Sequence, residues 1–294
     1  MTRLPSWLRQ HLAALRLLLV VTVILGIGYP LAVTAIAQIP GLQHRADGSL
    51  IHLDGRVVGS ALLGQSFTDA KGRPIEKYFQ SRPSAGDYDP TASGASNLGP
   101  ESIIDTLPDP SVNDDAGSQA LLSQVCARSL QVGQENDVDG RRPYCTADGV
   151  GAVLSVIRNL GTTGRVVRVI SVNQECPATP FISTYDQSPV TCATFGENIA
   201  IGTIVPIHGP GKAWPQNPVP PDAITASGSG LDPDISVAYA KLQAPRVARI
   251  RGLTTARVMG VVRIYTSGRT LGFVGEPAVN VLLLNLALDR LPGQ

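Results

Sequence analysis

The 294-residue sequence has few aromatic residues and almost no net charge. Aromatic side chains make up 5% of the chain, which argues against a surface that stacks on sugar rings or bases. The formal net charge is +1, so the excess of basic residues that nucleic-acid binding draws on is missing. We therefore expect no nucleic-acid partner.

The usual sequence marks of a self-sufficient catalytic or metal site are also missing. No two histidines stand in HxxxH spacing and no CxxC pair occurs, so we predict no metal site. The segment Ala226-Ser-Gly-Ser-Gly230 comes near the GxSxG elbow of serine hydrolases but has alanine at its first position. Residues 94–99 are not a phosphate-binding P-loop, because no Gly-Lys-Ser/Thr follows them. Asp232 and Asp234 are two residues apart, which favours helix capping over paired carboxylate chemistry.

One long stretch, residues 17–37, carries no charged side chain. At about 1.5 Å per helical residue it spans roughly 32 Å, which is the thickness of the hydrocarbon core of a bilayer. We predict a transmembrane helix over 17–37 after a short cytoplasmic tail over 1–16. A cleaved signal peptide is the alternative, since Ala35-Ile36-Ala37 resembles a cleavage site. The apolar run is longer than the roughly 7–15 residues of most signal peptides, which favours a retained anchor.

The charges that flank this stretch predict its orientation. Arg3, Arg9 and Arg16 precede it, and the next charged residue after it is Arg45. Because basic flanks stay on the cytoplasmic side, we expect a cytoplasmic N-terminus and an extracytoplasmic domain over residues 38–294. Pro30 interrupts the stretch and predicts a kink, either in a lone anchor or in a helix that packs against other membrane helices.

Four cysteines lie in the middle of the chain, at Cys126, Cys145, Cys176 and Cys192. In a domain predicted to lie outside the cell they indicate two disulfides, for which three connectivities exist. We favour Cys126–Cys145 and Cys176–Cys192, because neighbouring cysteines close the shortest loops. Zinc is a poor alternative, since no CxxC occurs and no histidine is near before His208.

Local patterns give a coarse secondary structure. Apolar β-branched runs bounded by turn residues predict strands over 57–63, 150–160, 165–172 and 199–207. Helical spacing predicts helices over 101–107, 118–130 and from Ser236 to about Arg251, the last kinked at Pro245. Residues 258–265 fit a helix, with a strand as the alternative. Residues 279–288 alternate, which predicts a final strand with Leu284, Leu286 and Leu288 on its buried face and Asn285 opposite. Residues 78–100 and the proline-rich linker 210–221 are predicted loops.

The expected fold is therefore an α/β extracytoplasmic domain on a single N-terminal transmembrane helix. A β-rich, disulfide-bonded section over residues 131–218 is inserted within that domain.

Three segments together resemble a known family. The first is Arg82-Pro-Ser-Ala85 with Tyr88 and Ser93-Gly-Ala-Ser-Asn-Leu-Gly-Pro100; the second is Thr225-Ala-Ser-Gly-Ser-Gly-Leu-Asp-Pro233; the third runs from Gly268-Arg269 through Leu271-Gly-Phe-Val-Gly-Glu-Pro277 to Asp289. In this order they are similar to the C subunit of the Kdp-type potassium-transporting ATPase. The likeness covers residues 17–108 and 219–290, whereas 131–218 has no counterpart. The chain departs from the family pattern at Ala95, Glu101, Asp234 and Val237.

The resemblance supplies the candidate interface residues. They are Arg82, Ser84, Tyr88, Ser93, Gly94, Ser96, Asn97, Gly99, Ser227, Gly228, Ser229, Gly230, Asp232, Gly275, Glu276 and Asn280. Each could contact another subunit or could stabilise a turn within the domain, and the sequence leaves both roles open.

The resemblance also implies a function. Family members belong to a bacterial plasma-membrane complex with a channel-like potassium-binding subunit, a P-type ATP-hydrolysing subunit and a small membrane subunit. The C subunit assembles this complex and, as a catalytic chaperone, raises the ATP affinity of the hydrolysing subunit.

This chain lacks the Asp-Lys-Thr-Gly-Thr motif of that hydrolase, so we expect a non-catalytic subunit without a stably bound cofactor. ATP is implied only together with the hydrolysing subunit, and the predicted topology makes any effect on its affinity allosteric. The alternative is an anchored binding module, or a hydrolase using Ser227 or Ser229.

Overall fold

The chain divides into two compact units, residues 1–62 and 63–294. The computed structural model describes residues 5–208 and 219–291. The predicted linker 210–221 therefore lies mostly outside the described residues.

The N-terminal unit contains the long apolar helix. Helix α1 (Ser6–Val23) passes through one π-helical turn (Ile24–Gly28) into α2 (Tyr29–Ala37). By length and composition, Ser6–Ala37 could cross a membrane, and the helix begins earlier than the predicted residue 17. The π turn directly precedes Pro30, whose ring lacks an N–H and crowds the carbonyl four residues earlier. The Thr34 hydroxyl donates to the Pro30 carbonyl oxygen at 2.8 Å, so the interruption expected at this proline is a widened helical turn.

A short helix and a hairpin complete this unit. After α3 (Gln43–Ala46), strands β1 (Leu50–Leu53) and β2 (Arg56–Ser60) pair antiparallel. Asp54 and Gly55 between them both have positive φ, as two-residue hairpin turns require. The strand predicted over 57–63 is confirmed, although it starts and ends earlier.

The second unit holds the remaining elements, which follow in chain order. They are α4 (Leu121–Asn136), β3 (Val153–Leu160), β4 (Thr163–Glu175), β5 (Thr184–Tyr185), β6 (Ser188–Ala193), β7 (Thr203–Pro206), β8 (Asp234–Ser236), α5 (Val237–Arg251), α6 (Thr255–Ile264), β9 (Thr266–Ser267), β10 (Ala278–Asn280) and α7 (Val281–Asp289). The described strands form a mixed sheet in the order β5-β6-β4-β3-β7 and a smaller antiparallel sheet in the order β8-β10-β9. An α/β fold is thus present.

Two apolar clusters correspond to these two sheets. The larger one packs α5, α6 and α7 around fully buried side chains such as Phe79, Val247 and Leu284. The smaller one lies on the five-stranded sheet and includes Leu154 and Val169.

The disulfides Cys126–Cys145 and Cys176–Cys192 confirm the predicted pairing. Because all four cysteines are used in this way, none is left to bind zinc. The limits 131–218 of the inserted section stay a prediction, and α4 runs across the first of them.

Three element predictions are wrong, and for one of them, the strand over 199–207, only the first part fails. Residues 101–107 form no helix; instead the Ser102 hydroxyl and carbonyl oxygens accept the first amides of α4, from Leu121 and Leu122, at 3.1 Å each. The segment lies between Pro100 and Pro108 and is too short to nucleate a helix there. The strand predicted over 199–207 begins as a 3-10 turn (Ile199–Ile201), so only β7 is extended.

The predicted final strand over 279–288 is helix α7, with only β10 extended before it. The Asn280 side chain caps the helix by accepting the Leu283 N–H at 3.0 Å. Buried positions 281, 284, 285 and 288 follow helical spacing, and leucine is a strong helix former. Asn285, predicted on the exposed face, is therefore buried.

The helices expected over 118–130, from Ser236 to Arg251 and over 258–265 are confirmed, so the strand alternative for the last fails.

The burial of Asn285 has a clear purpose. Its side chain accepts the Phe79 N–H and donates to the Phe79 carbonyl oxygen, both at 2.9 Å. Gln243 on α5 does the same for Gln80, at 2.7 and 3.1 Å. We call these two side chains the amide clamp. The clamp supplies hydrogen-bond partners for the N–H and carbonyl groups of a backbone segment that belongs to no strand. Inside the core, such polar groups are costly when they are unpaired.

Replacing Asn285→Leu keeps the volume but removes both partners of Phe79. We expect the full-length chain in detergent to lose about 3 kcal/mol of unfolding free energy, because two buried backbone groups are left unpaired. Urea denaturation followed by circular dichroism measures this loss. Gln131→Leu, which removes an exposed amide from α4, is the control and should change stability by less than about 0.5 kcal/mol. Equal stabilities of the two variants would contradict the clamp.

Candidate functional site

The first two recognised segments lie against each other as two joined loops, residues 82–94 and 225–232, which we call the loop pair. The Ser227 N–H donates to the Pro83 carbonyl oxygen at 2.9 Å, and the Gly94 N–H donates to that of Ser229 at 2.9 Å. The hydroxyls of Ser84 and Ser93 donate across the pair to the carbonyl oxygens of Gly230 and Ser229, at 2.8 and 2.9 Å. Segments about 140 residues apart in sequence are thus joined by backbone and hydroxyl bonds.

Arg82 makes the one ion pair between these loops in the described residues. Its Nη1 lies 2.8 Å from Asp232 Oδ2, and its Nη2 lies 3.4 Å from the carbonyl oxygens of Thr225 and Ala226. The Tyr88 hydroxyl donates to the Arg82 carbonyl oxygen at 2.6 Å. Burial raises the pKa of Tyr88 to about 12, so this hydroxyl is protonated at neutral pH and remains a donor.

A glycine that the sequence did not mark as a candidate makes this packing fit. The Gly64 N–H donates to the Leu231 carbonyl oxygen at 2.8 Å. A β-carbon at Gly64 would overlap the Asp232 carbonyl oxygen and a ring carbon of Tyr88. The sequence signal for Gly64 was its place directly after the predicted strand over 57–63.

The third recognised segment forms a hairpin between β9 and β10. Arg269 Nη2 contacts both carboxylate oxygens of Glu276, at 2.9 and 2.8 Å, and Gly275 beside them has a φ of 83°. Asn280 ends this hairpin as the cap of α7. Burial raises the pKa of Asp234 on the neighbouring strand, and a hydrogen bond from Asn280 partly opposes that shift.

The three segments meet around an open surface pocket of about 610 Å³. Its lining includes Arg82, Asp232, Asp234, Ser236 and Glu276. The structure thus brings together candidates from all three motifs at one place.

The remaining candidates are not part of these contacts. Ser96 is half-buried, Asn97 is exposed with a φ of 56°, and Gly228 is exposed. A β-carbon at Gly99 would meet only the carboxylate end of the exposed Glu101 side chain, which can move away. For these residues an interface role stays a prediction.

Two chemical expectations change. Asp232 and Asp234 do not cap α5; Ser236 does, by accepting the Tyr239 N–H at 3.0 Å. Asp232 is instead held by Arg82, and Asp234 lies in β8. The hydrolase alternative gains nothing, because Ser227 is fully buried and the Ser229 hydroxyl donates to Asp232 at 3.3 Å.

Comparison with known proteins agrees with this arrangement. The family model KdpC, described as the K+-transporting ATPase c chain, matches residues 11–106 and 207–290. The chain belongs to the KdpC family. It is therefore a subunit of a K+-transporting ATPase, and the resemblance read from the motifs is confirmed.

Curated KdpC subunits align over nearly the whole chain. The Potassium-transporting ATPase KdpC subunit of Mycobacterium tuberculosis is 37% identical over 285 residues, which cover 96% of this chain and 99% of that protein. Those of Kineococcus radiotolerans and Sorangium cellulosum are each 38% identical, over 97% and 94% of this chain and 95% of each relative. These alignments therefore run across residues 107–206, which contain the five-stranded sheet and which the family model omits.

Gly64→Ala tests the close packing under the loop pair. The added methyl group forces Asp232 or Tyr88 to move, and we expect a loss of about 2 kcal/mol of unfolding free energy, as for other overpacked sites. Gly94→Ala is the matched control, because a β-carbon there meets open space and its N–H bond to Ser229 survives. Thermal unfolding of both variants measures the difference, and a Gly64→Ala chain as stable as the control would show that the contact is loose.

Proposed function

We propose that this chain is the non-catalytic subunit that assembles and stabilises an ATP-driven potassium import complex of the bacterial plasma membrane. Its partners are a channel-like potassium-binding subunit, a separate P-type ATP-hydrolysing subunit and a small membrane subunit. Within that complex it acts as a catalytic chaperone that raises the ATP affinity of the hydrolysing subunit. Membership of the KdpC family supports this proposal.

The internal bonding of the loop pair is the observation that carries the non-catalytic role. Phosphate is bound at glycine-rich loops by backbone N–H groups that point outward. Here the amides of Gly94, Ser227 and Gly230 donate to carbonyl oxygens of the loop pair itself. Two of its serine hydroxyls are used in the same way. The glycine-rich motifs therefore suit a rigid protein surface better than a nucleotide site.

Charge and cysteine usage support an extracytoplasmic position for the folded domain. Arginines precede the apolar helix, which favours a cytoplasmic N-terminus. The two disulfides fit an oxidising compartment. A domain outside the membrane cannot touch cytoplasmic ATP, so its effect on ATP affinity acts through a coupling between the two faces of the complex. Such a coupling is reciprocal: ATP bound by the hydrolysing subunit would tighten the binding of this chain by the same factor.

Affinity purification in mild detergent from potassium-starved cells tests the assignment. We expect the tagged chain to bring with it a channel-like potassium subunit and a P-type ATPase, with potassium-stimulated ATP hydrolysis. Complex reconstituted without the chain should show a weaker apparent affinity for ATP. Recovery of this chain alone in several detergents would contradict the proposal and favour a free-standing binding module.

A further inference from the structure

The hairpin between β9 and β10 ends in a cluster of exposed apolar side chains. Leu271 is 81% exposed, Phe273 is 73% exposed and Val274 is 50% exposed. We call these three residues the apolar tip. Single exposed apolar residues are common, but three large ones within four positions of one turn form a small patch that water solvates poorly.

The backbone at the apolar tip is also unfavourable for its sequence. Leu271 has a φ of 55° and Gly272 a φ of 83°, and the Phe273 N–H donates to the Thr270 carbonyl oxygen at 3.3 Å. A turn with two successive residues at positive φ favours asparagine, aspartate or glycine at the first of them. A branched apolar residue there strains the backbone.

An asparagine at position 271 would relieve both the strain and the exposure, yet the chain carries leucine. Among residues 5–208 and 219–291 nothing covers this side chain, so the fold of the described residues gains nothing from it. We propose that the apolar tip docks into an apolar socket on a partner subunit of the potassium-transporting ATPase. This inference rests on the proposed function, which supplies the partner.

The charges of the hairpin favour a protein socket over a lipid surface. Residues 266–280 contain one basic residue, Arg269, and one acidic residue, Glu276, and these two form an ion pair. Shallow insertion into a membrane usually combines apolar side chains with basic residues that face anionic headgroups. A hairpin without net charge gains no such attraction, whereas it complements an uncharged socket.

The hairpin also has the rigidity that a specific socket requires. Thr270 and Val274 exchange both backbone hydrogen bonds, at 2.8 and 2.9 Å, directly below the turn. The side chains of Arg269 and Glu276 add an ion pair near the base of this turn. A preorganised turn loses little conformational entropy on docking, and aromatic side chains such as Phe273 are enriched in protein interfaces.

Leu271→Asn separates docking from folding, because it should not weaken the turn while it removes the apolar contact. In the full-length chain expressed with its partner subunits, we expect co-purification to fall about tenfold or more. The thermal midpoint of the variant chain should equal or exceed that of the parent. The control is Leu160→Asn, which alters a leucine that is 68% exposed at the end of β3 and should leave co-purification unchanged.

Recovery of partner subunits by the parent chain distinguishes a failure of the docking inference from a failure of the proposed function. If it recovers its partners and Leu271→Asn recovers them equally well, the docking inference is wrong and the proposed function stands. If the parent recovers none, the proposed function fails and the docking inference falls with it.

A label at the apolar tip distinguishes protein from lipid. All four native cysteines are in disulfides, so Val274→Cys supplies one free thiol for an environment-sensitive fluorophore. We expect a blue shift in the assembled complex but not in the full chain alone in vesicles of phosphatidylcholine and phosphatidylglycerol. A blue shift of the same size in the vesicles, or no blue shift in the complex, would contradict docking of the apolar tip into a protein socket.

Discussion

A stretch of backbone that crosses the core without belonging to a strand sets the main constraint on this fold. Phe79 is fully buried and Gln80 nearly so, and their peptide groups need hydrogen-bond partners that no sheet supplies. The amide clamp, Asn285 on α7 and Gln243 on α5, provides them, each side chain accepting from the N–H and donating to the carbonyl oxygen of one residue. The position of this stretch therefore depends on two helices that come much later in the chain.

A buried arginine extends the same network. Arg246 on α5 donates to the carbonyl oxygen of Tyr78 at 3.1 Å and to the side chains of Gln243 and Asn136, at 2.9 and 3.0 Å. It thereby links α4, α5 and the chain just before the clamp. The loop pair begins two residues after Gln80, so Arg82 reaches Asp232 from a segment that the core already fixes. The recognised loops can then be rich in glycine and serine and still keep one geometry.

The sequence predicted those features that depend on local patterns. The apolar anchor and the nearest-neighbour disulfides each follow from composition or short spacing, and the structure has an apolar helix and these pairings. The motifs identified the candidate site, and the structure places Arg82, Asp232 and Glu276 around one pocket. The role of Gly64 could not be predicted, because it depends on a contact with residues that lie far away in sequence.

The wrong prediction of a final strand also arose from contacts between residues that lie far apart in sequence. Residues 279–288 satisfy both an alternating and a helical pattern, and the choice is made by burial against α5 and α6 and by the amide of Asn285. That amide serves a backbone segment 206 positions away, which no local pattern reveals. Native-state hydrogen exchange of the Phe79 and Gln80 amides tests this account most directly. We expect both to exchange only on global unfolding, as slowly as the amide of Ala244 in the middle of α5. Exchange as fast as that of the exposed loop at residues 89–92 would show that the clamp does not hold this segment.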